Sequence, residues 1–265
     1  MQKFKRGFMS LGIAIGVSVM GVTAGQAMEP AITWFGHAAF KLTTRTGKII
    51  LIDPWLTNPK APKNITLTHV DAILITHAHS DHVGEAFELA QKFNAPIVAS
   101  YELTEIAKKK GVKNVLPINP SGTQKIADLT VTAVEAVHSS GYQDGDTILY
   151  GGAPLGFIVQ QDAAPTIYDA GDTGVFSDMA LIAELYHPQI ALLPIGGVYT
   201  MKPSEAAYAV RAIQPRVVIP MHFGTFPALT GTPAQLKLEM QRLALVATVH
   251  EMAIGQEERL KDVAK

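Results

Sequence analysis

The sequence has no cysteine among its 265 residues. That absence excludes disulfides, thiolate metal sites and anchoring through a lipid-bearing cysteine, so any metal must be held by nitrogen and oxygen alone. A surplus of either charge is also missing: 22 Lys and Arg stand against 23 Asp and Glu, a formal net charge of −1. Binding along a phosphate backbone needs a cationic surplus, so a nucleic-acid partner is disfavoured. Low-complexity linkers and exact internal repeats are absent. Long apolar runs are nearly so, and the one present, residues 7–22, is short against the roughly 20 residues of a membrane span.

That run follows Lys3, Lys5 and Arg6 and precedes Gly25, Gln26 and Ala27. A charged start, an apolar stretch and flanking small residues are what a signal peptidase reads, so residues 1–27 are expected to be a cleaved secretory signal. The mature chain would then be a single domain, residues 28–265, beginning at Met28, periplasmic or secreted and without membrane attachment. The order Lys5-Arg6-Gly7-Phe8 resembles a twin-arginine signal with its first arginine replaced, which leaves the export route open.

The rest of the chain alternates short apolar runs with amphipathic segments. Residues 31–35, 39–43 and 48–52 are rich in β-branched and aromatic residues, broken by Gly36 and Gly47, and suggest an antiparallel opening. Strands are expected at 72–76, 96–99 and 129–137, and helices at 85–93 and 102–110, the latter stopped by Gly111. After a Gly- and Asp-rich loop at 139–153 the style repeats, with strands at 155–160, 166–169, 190–194 and 217–220. Helices are expected at 178–186, 204–213 and 233–243, the last two opened by Pro203 and Pro233. Two similar halves of this kind fit an α/β protein with two sheets face to face and helices outside.

The chemistry concentrates after the apolar strand at 72–76, in "ILITHAHSDHVGE". His77, His79, Asp81 and His82 form H-x-H-x-D-H. Alternate residues of an extended turn point the same way, so His77 and His79 suit one metal while Asp81 and His82 face a neighbouring position. Burying four such groups together without a cation would leave donors unpaired and a carboxylate uncompensated. Further ligand types stand at the ends of other strands: His138 in "AVHSS", Asp172 in "YDAGDTG" and His222 in "VIPMHFGT".

The order of these residues resembles the metallo-β-lactamase superfamily. The segments "WFGHAAF", "LIDPWLTNP", "AVHSSGY", "GDTGVF", "LPIGGVYTM" and "VIPMHFGTFP" look like those of its predicted metal-dependent hydrolases, a family related to the branch that contains ascorbate-6-phosphate lactonase. The resemblance implies a four-layer αββα sandwich with the site at one edge of the two sheets. It implies two divalent ions, zinc by default and manganese as the second choice, with His77, His79 and His138 at the first, Asp81, His82 and His222 at the second, and Asp172 bridging. Asp53, in "LIDPW", corresponds to a carboxylate that supports the ligand loop, and His37, in "FGHAAF", to a position that orients substrate or a ligand.

Two cations so held turn a shared water into a nucleophile at neutral pH and polarise a carbonyl or phosphoryl oxygen, with Asp81 or a metal-bound water returning the proton to the leaving group. Hydrolysis of a small-molecule ester or lactone is the leading expectation. A phosphodiester or other phosphorylated substrate is the alternative, and a periplasmic metal-binding protein without turnover is the reading from another class. Asp172 speaks against β-lactam cleavage, since the true β-lactamases lack this acid. His79, where diiron relatives carry Glu, speaks against redox chemistry. Tyr142, Tyr199 and Phe226, on loops beside the ligands, are the candidate pocket residues.

Overall fold

The computed structural model describes residues 28–265, so the expected signal segment, 1–27, lies outside the described residues. The chain opens with β1 (Ala31–Trp34), β2 (Phe40–Thr43) and β3 (Ile49–Ile52), paired antiparallel as the closely spaced strand signals imply. Next, β4 (Ala72–Leu74), β5 (Ile97–Ala99) and β6 (Val115–Pro117) add in parallel, connected through the short turn α1 (Ser80–Val83), α2 (Ala86–Phe93) and α3 (Tyr101–Lys109).

The second half contributes β7 (Thr123–Ile126), β8 (Leu129–Glu135), a two-stranded hairpin of β9 (Gly141–Asp144) and β10 (Thr147–Tyr150), then β11 (Leu155–Gln160) and β12 (Ile167–Asp169). There follow α4 (Met179–Tyr186), β13 (Ile190–Pro194), α5 (Pro203–Ile213), β14 (Val217–Met221), α6 (Pro233–Arg242) and β15 (Thr248–Val249). Finally β16 (Glu257–Arg259) returns to pair antiparallel with β1, and α7 (Leu260–Val263) packs after it. The two seven-stranded sheets run β16-β1-β2-β3-β4-β5-β6 and β15-β14-β13-β12-β11-β8-β7.

Alternation within the strands explains the layering. Ile50 and Ile52 join Phe40 and Leu74 in the cluster between the sheets, facing Phe157, Ile190, Leu192 and Ile219. Leu51 and Ile73 point the other way, onto Phe87 and Leu103 of α2 and α3. Ala191, Leu193 and Val218 likewise leave the second sheet's outer face to meet Val210 of α5 and Leu236 of α6. Both faces of these central strands are covered, which is why they read as continuous apolar runs rather than alternating ones. The result is the four-layer αββα sandwich expected from the sequence.

The stretch at 139–153 corrects the expectation of a loop. A two-residue Gly145-Asp146 connection, with Gly145 at φ +57°, closes the β9–β10 hairpin, pairing Asp144 with Thr147 and Tyr142 with Leu149. A glycine at that position meets the positive φ that tight hairpin turns demand. Its first strand, Gly-Tyr-Gln-Asp, is polar, and the second, Thr-Ile-Leu-Tyr, is apolar but only four residues long, so neither stood out as a strand. Several further short strands, β6, β7, β15 and β16, were also silent in the sequence, having only two to four residues each.

Candidate metal centre

The parallel strands deliver their carboxyl ends to one edge of the sandwich, where open α/β sheets collect ligands. Asp53 follows β3, His77 follows β4, Asp172 follows β12 and His222 follows β14 directly. His138 comes three residues after β8, and His37 three residues after β1. His222 and His37 are held side by side, since the His222 N–H donates to the His37 carbonyl at 3.0 Å. Both adopt positive φ, +54° in each case, a conformation uncommon outside glycine that His tolerates better than most residues.

The ligand segment itself differs from the extended turn expected throughout. His79 is extended after a bend at Ala78, but Ser80–Val83 forms one helical turn, ended by Gly84 at φ +42°. The turn splays Asp81 and His82 by about 100°. They therefore serve different ends: Asp81 reaches His37, with Nε2 to Oδ2 at 3.1 Å, while His82 is buried between Asp53 and Asp172.

Hydrogen bonds fix which ring nitrogens are free. Thr76 donates both its N–H and its hydroxyl to the Asp53 carboxylate, at 2.8 and 2.6 Å. Its hydroxyl oxygen can then accept only from Nδ1–H of His77, 3.0 Å away, which leaves His77 Nε2 with a lone pair. Asp53 Oδ2 lies 2.6 Å from His82 Nδ1 and selects the same tautomer there. Such carboxylate support orients a ligating imidazole and raises its basicity. Asp53 thus lies behind the segment that carries His77 and His82, bonded to Thr76 and His82.

The free atoms converge in overlapping groups. His77, His79 and His138 bring ring nitrogens within 4.8 Å of one another; so do His37, Asp81, His82 and His222 with one nitrogen or carboxylate oxygen each, and so do His77, His82 and Asp172. Asp172 Oδ2 lies 3.0 Å from His222 Nε2, 3.3 Å from His82 Nε2 and 3.6 Å from His138 Nε2. Donors around a tetrahedral ion with bonds of about 2.0–2.1 Å sit about 3.3 Å apart. The His82 and His222 Nε2 atoms, and Asp172 Oδ1, are buried without a properly directed hydrogen bond. Close approach without alignment fits groups aimed at a shared cation, and the nitrogen and oxygen donor set suits a divalent metal.

Burial and charge divide the cluster. Burial pushes His77, His79 and His138 below the ordinary histidine range, so their lone pairs are not lost to protons near neutrality. For His82 burial acts in the same direction, but Asp172 and Asp53 outweigh it and hold the ring well above its usual range. Burial likewise opposes ionisation of Asp172, yet His82 and His222 keep it charged, well below the ordinary carboxylate value. Asp81 is also held low, the hydrogen bond from His37 and the nearby His82 overcoming its burial. His37 itself, fully buried, is pushed down to about 4 by desolvation despite Asp81.

The pocket candidates separate. Phe226 meets His37 edge-on at 5.6 Å and stacks on Trp55 at 5.7 Å, so it walls the site. Tyr199 is exposed, on the loop after β13. Tyr142 is a correction: its ring packs on Phe87 at 5.9 Å, with the Lys110 ammonium over it, because the hairpin turns that face onto α2. Sequence reasoning passed over Thr76, whose position directly before His77 at a strand end was the available signal. It also passed over Asp169, fully buried beside Asp53 and pushed up to about 7 by that burial.

A cluster of histidines and carboxylates at the carboxyl edge of an αββα sandwich defines a metal-dependent hydrolase class, and comparison with known proteins agrees. A family model described as a beta-lactamase superfamily domain matches residues 31–222. A UPF0173 metal-dependent hydrolase of Koribacter versatilis is 50% identical over 227 residues, covering 85% of this chain and 96% of its own. A relative of the same name from Myxococcus xanthus is 49% identical over 221 residues, covering 82% and 79%. Among solved structures, a metallo hydrolase from the hyperthermophilic archaeon Ignicoccus hospitalis superposes with a TM-score of 0.76 at 36% identity, covering 87% of this chain and 98% of its own. The chain belongs to the metallo-β-lactamase superfamily and is a metal-dependent hydrolase within it.

Proposed function

We propose that the protein hydrolyses a small ester or lactone at a pair of divalent metal ions, zinc by default. His77, His79 and His138 would hold the first ion, Asp81, His82 and His222 the second, and Asp172 would touch both. The observation that carries this reading is the position of Asp172 Oδ2, within 3.6 Å of ring nitrogens from both sets, His138 on one side and His82 and His222 on the other. When bound, the ions supply an activated water and a Lewis acid for the substrate oxygen.

The side chains do the rest. Asp172 and Asp53 are buried, at 3% and 1% side-chain exposure, whereas Asp81 retains 23%. Asp81 is therefore the carboxylate able to meet substrate, and the N–H of His37 holds it in place to carry a proton to the leaving oxygen. In the net reaction the water oxygen bonds to the acyl carbon and the C–O bond breaks. An ester yields a carboxylate and an alcohol, and a lactone a single hydroxycarboxylate, with one proton released in either case.

A carbonyl substrate is favoured over a phosphorylated one by the cations at hand. The arginines among the described residues, Arg45, Arg211, Arg216, Arg242 and Arg259, all lie off the loops that carry the site. Those loops offer only Lys60, Lys63 and Lys202, with no guanidinium fork to grip a phosphate bidentately. Export to the periplasm with a mature start at Met28 is part of the proposal, checked by mass spectrometry of the exported chain. Turnover of a lactone, thioester and phosphodiester panel, by protein loaded with zinc and by chelated protein, tests the reaction. Metal-dependent cleavage confined to the phosphodiesters would overturn the ester assignment, and no turnover by fully loaded protein would favour a metal-binding role.

A further inference from the structure

Val198 stands in a conformation its side chain resists. It adopts φ +61°, directly after Gly197 at φ +77°. A β-branched residue in the left-handed region is an outlier, and such strain collects at functional sites when the surroundings enforce it. The enforcement is visible. Gly197 N–H donates to the Met201 carbonyl at 3.0 Å and Tyr199 N–H to the Gly197 carbonyl at 2.7 Å, pinching the loop shut. Gly196 is packed so closely on the His222 carbonyl that any side chain there would collide with it. Burial would be the ordinary reason for a valine in such a place, yet Val198 is 75% exposed.

It is not isolated. Val137, Val175 and Tyr199 are also exposed apolar side chains, and all four ride on loops laced together beside the ligands. Gly174 N–H donates to the Val137 carbonyl at 3.0 Å, Val137 N–H to the Thr173 hydroxyl at 3.0 Å, and Met201 N–H to the Thr173 carbonyl at 3.3 Å. Val137 adjoins His138, and Thr173 adjoins Asp172. Scattered exposed apolar residues need no explanation, but several carried on hydrogen-bonded loops that also bear the candidate ligands point to a binding surface.

We infer that Val137, Val175, Val198 and Tyr199 form an apolar rim that receives a hydrocarbon group of the substrate, so that the preferred substrate is an ester or lactone bearing an aliphatic chain. This rests on the ester or lactone reading above. The rim touches one side of a chain only. Full burial of a methylene is worth about fourfold in affinity, and one-sided cover about twofold.

The test is a series of p-nitrophenyl esters from acetate to octanoate with the zinc-loaded protein, beside Val198→Asn and Val175→Ser. Both positions are exposed, and asparagine accepts the left-handed conformation, so Val198→Asn is expected to keep or raise the melting temperature. In the parent, kcat/KM should climb at least tenfold from acetate to octanoate, mainly through KM. The double variant should lower the octanoate-to-acetate ratio at least fivefold with metal content unchanged. A flat series in the parent, or a steep one that the variants leave intact, overturns the rim. So does a lower melting temperature for Val198→Asn without a change in the ratio, which would make Val198 merely structural. Should loaded protein cleave no ester at all, the ester part of the proposed function fails. The rim is then judged by titration with octanoate and acetate: tighter octanoate binding that Val198→Asn weakens supports it, and equal binding sinks it.

Discussion

The two halves of the candidate metal centre, the imidazole trio and the surroundings of His82, are built from different materials. His77, His79 and His138 converge as three imidazoles with Asp172 at their edge, 3.6 Å from His138; two of the three are part-exposed, and burial lowers the pKa of each. Around His82 stand four acids, Asp53, Asp81, Asp169 and Asp172, and burial there collides with charge. A trio of neutral imidazoles can persist without a cation. Several buried or half-buried carboxylates beside one proton-hungry histidine are costly until positive charge enters. The second half should therefore depend on its carboxylates for metal, and the first should not.

The largest effect is expected where the halves meet. His77 belongs to the imidazole trio and also to the group with His82 and Asp172, so His77→Ala should strip both positions and lower kcat/KM by about 1000-fold or more. A variant retaining a tenth of parental kcat/KM in saturating zinc would show that the halves are not coupled through it. Asp53→Asn should act more selectively. It removes the negative charge directly behind His82, 2.6 Å away, and reaches His77 only through the Thr76 hydroxyl, so in the proposed two-ion site it should weaken the ion at His82 the more, by about 10–100-fold. Titration with a competing chelator checks this, and equal weakening of both sites would break the asymmetry.

The smallest effect concerns stability in the metal-free protein. Asp169 titrates near 7 in the folded chain, above its ordinary 3.8, because it is fully buried next to Asp53. A carboxyl with a raised folded pKa binds its proton more tightly when folded. Stability is thus greatest below about 4 and is lost as pH rises toward and through about 7. Asp169→Asn removes that dependence while its side-chain oxygen can still accept from Gly171 N–H. The stability difference between variant and parent should grow by on the order of 3 kcal/mol between pH 4 and pH 8, read from urea midpoints. A difference independent of pH would mean that Asp169 is ionised throughout.

Much of this arrangement was legible in the sequence because ligands come at strand ends, and the central strands, buried on both faces, announce themselves as unbroken apolar runs. H-x-H-x-D-H was conspicuous for the same reason. What stayed hidden was pairing across distance. His37 and Asp81 are 44 residues apart, and only the closed sandwich puts Nε2 3.1 Å from the carboxylate. The hairpin at 141–150 was hidden by the shortness of its two four-residue strands, and with it the fate of Tyr142, whose ring is spent on Phe87. Strain at Val198 has no sequence signature either, since valine is the residue least expected in that conformation.

Asp172→Ala tests the central claim most directly. Its carboxylate oxygen lies within reach of His138 on one side and His82 and His222 on the other, so in the proposed two-ion site its loss would remove the negative charge that lets two dications sit close together. Elemental analysis of purified variant and parent, equilibrated with stoichiometric zinc, should find about one zinc or less per chain in the variant against about two in the parent. Two tightly held zinc ions per Asp172→Ala chain would contradict the account, leaving Asp172 as a turn residue and the metals without their shared carboxylate.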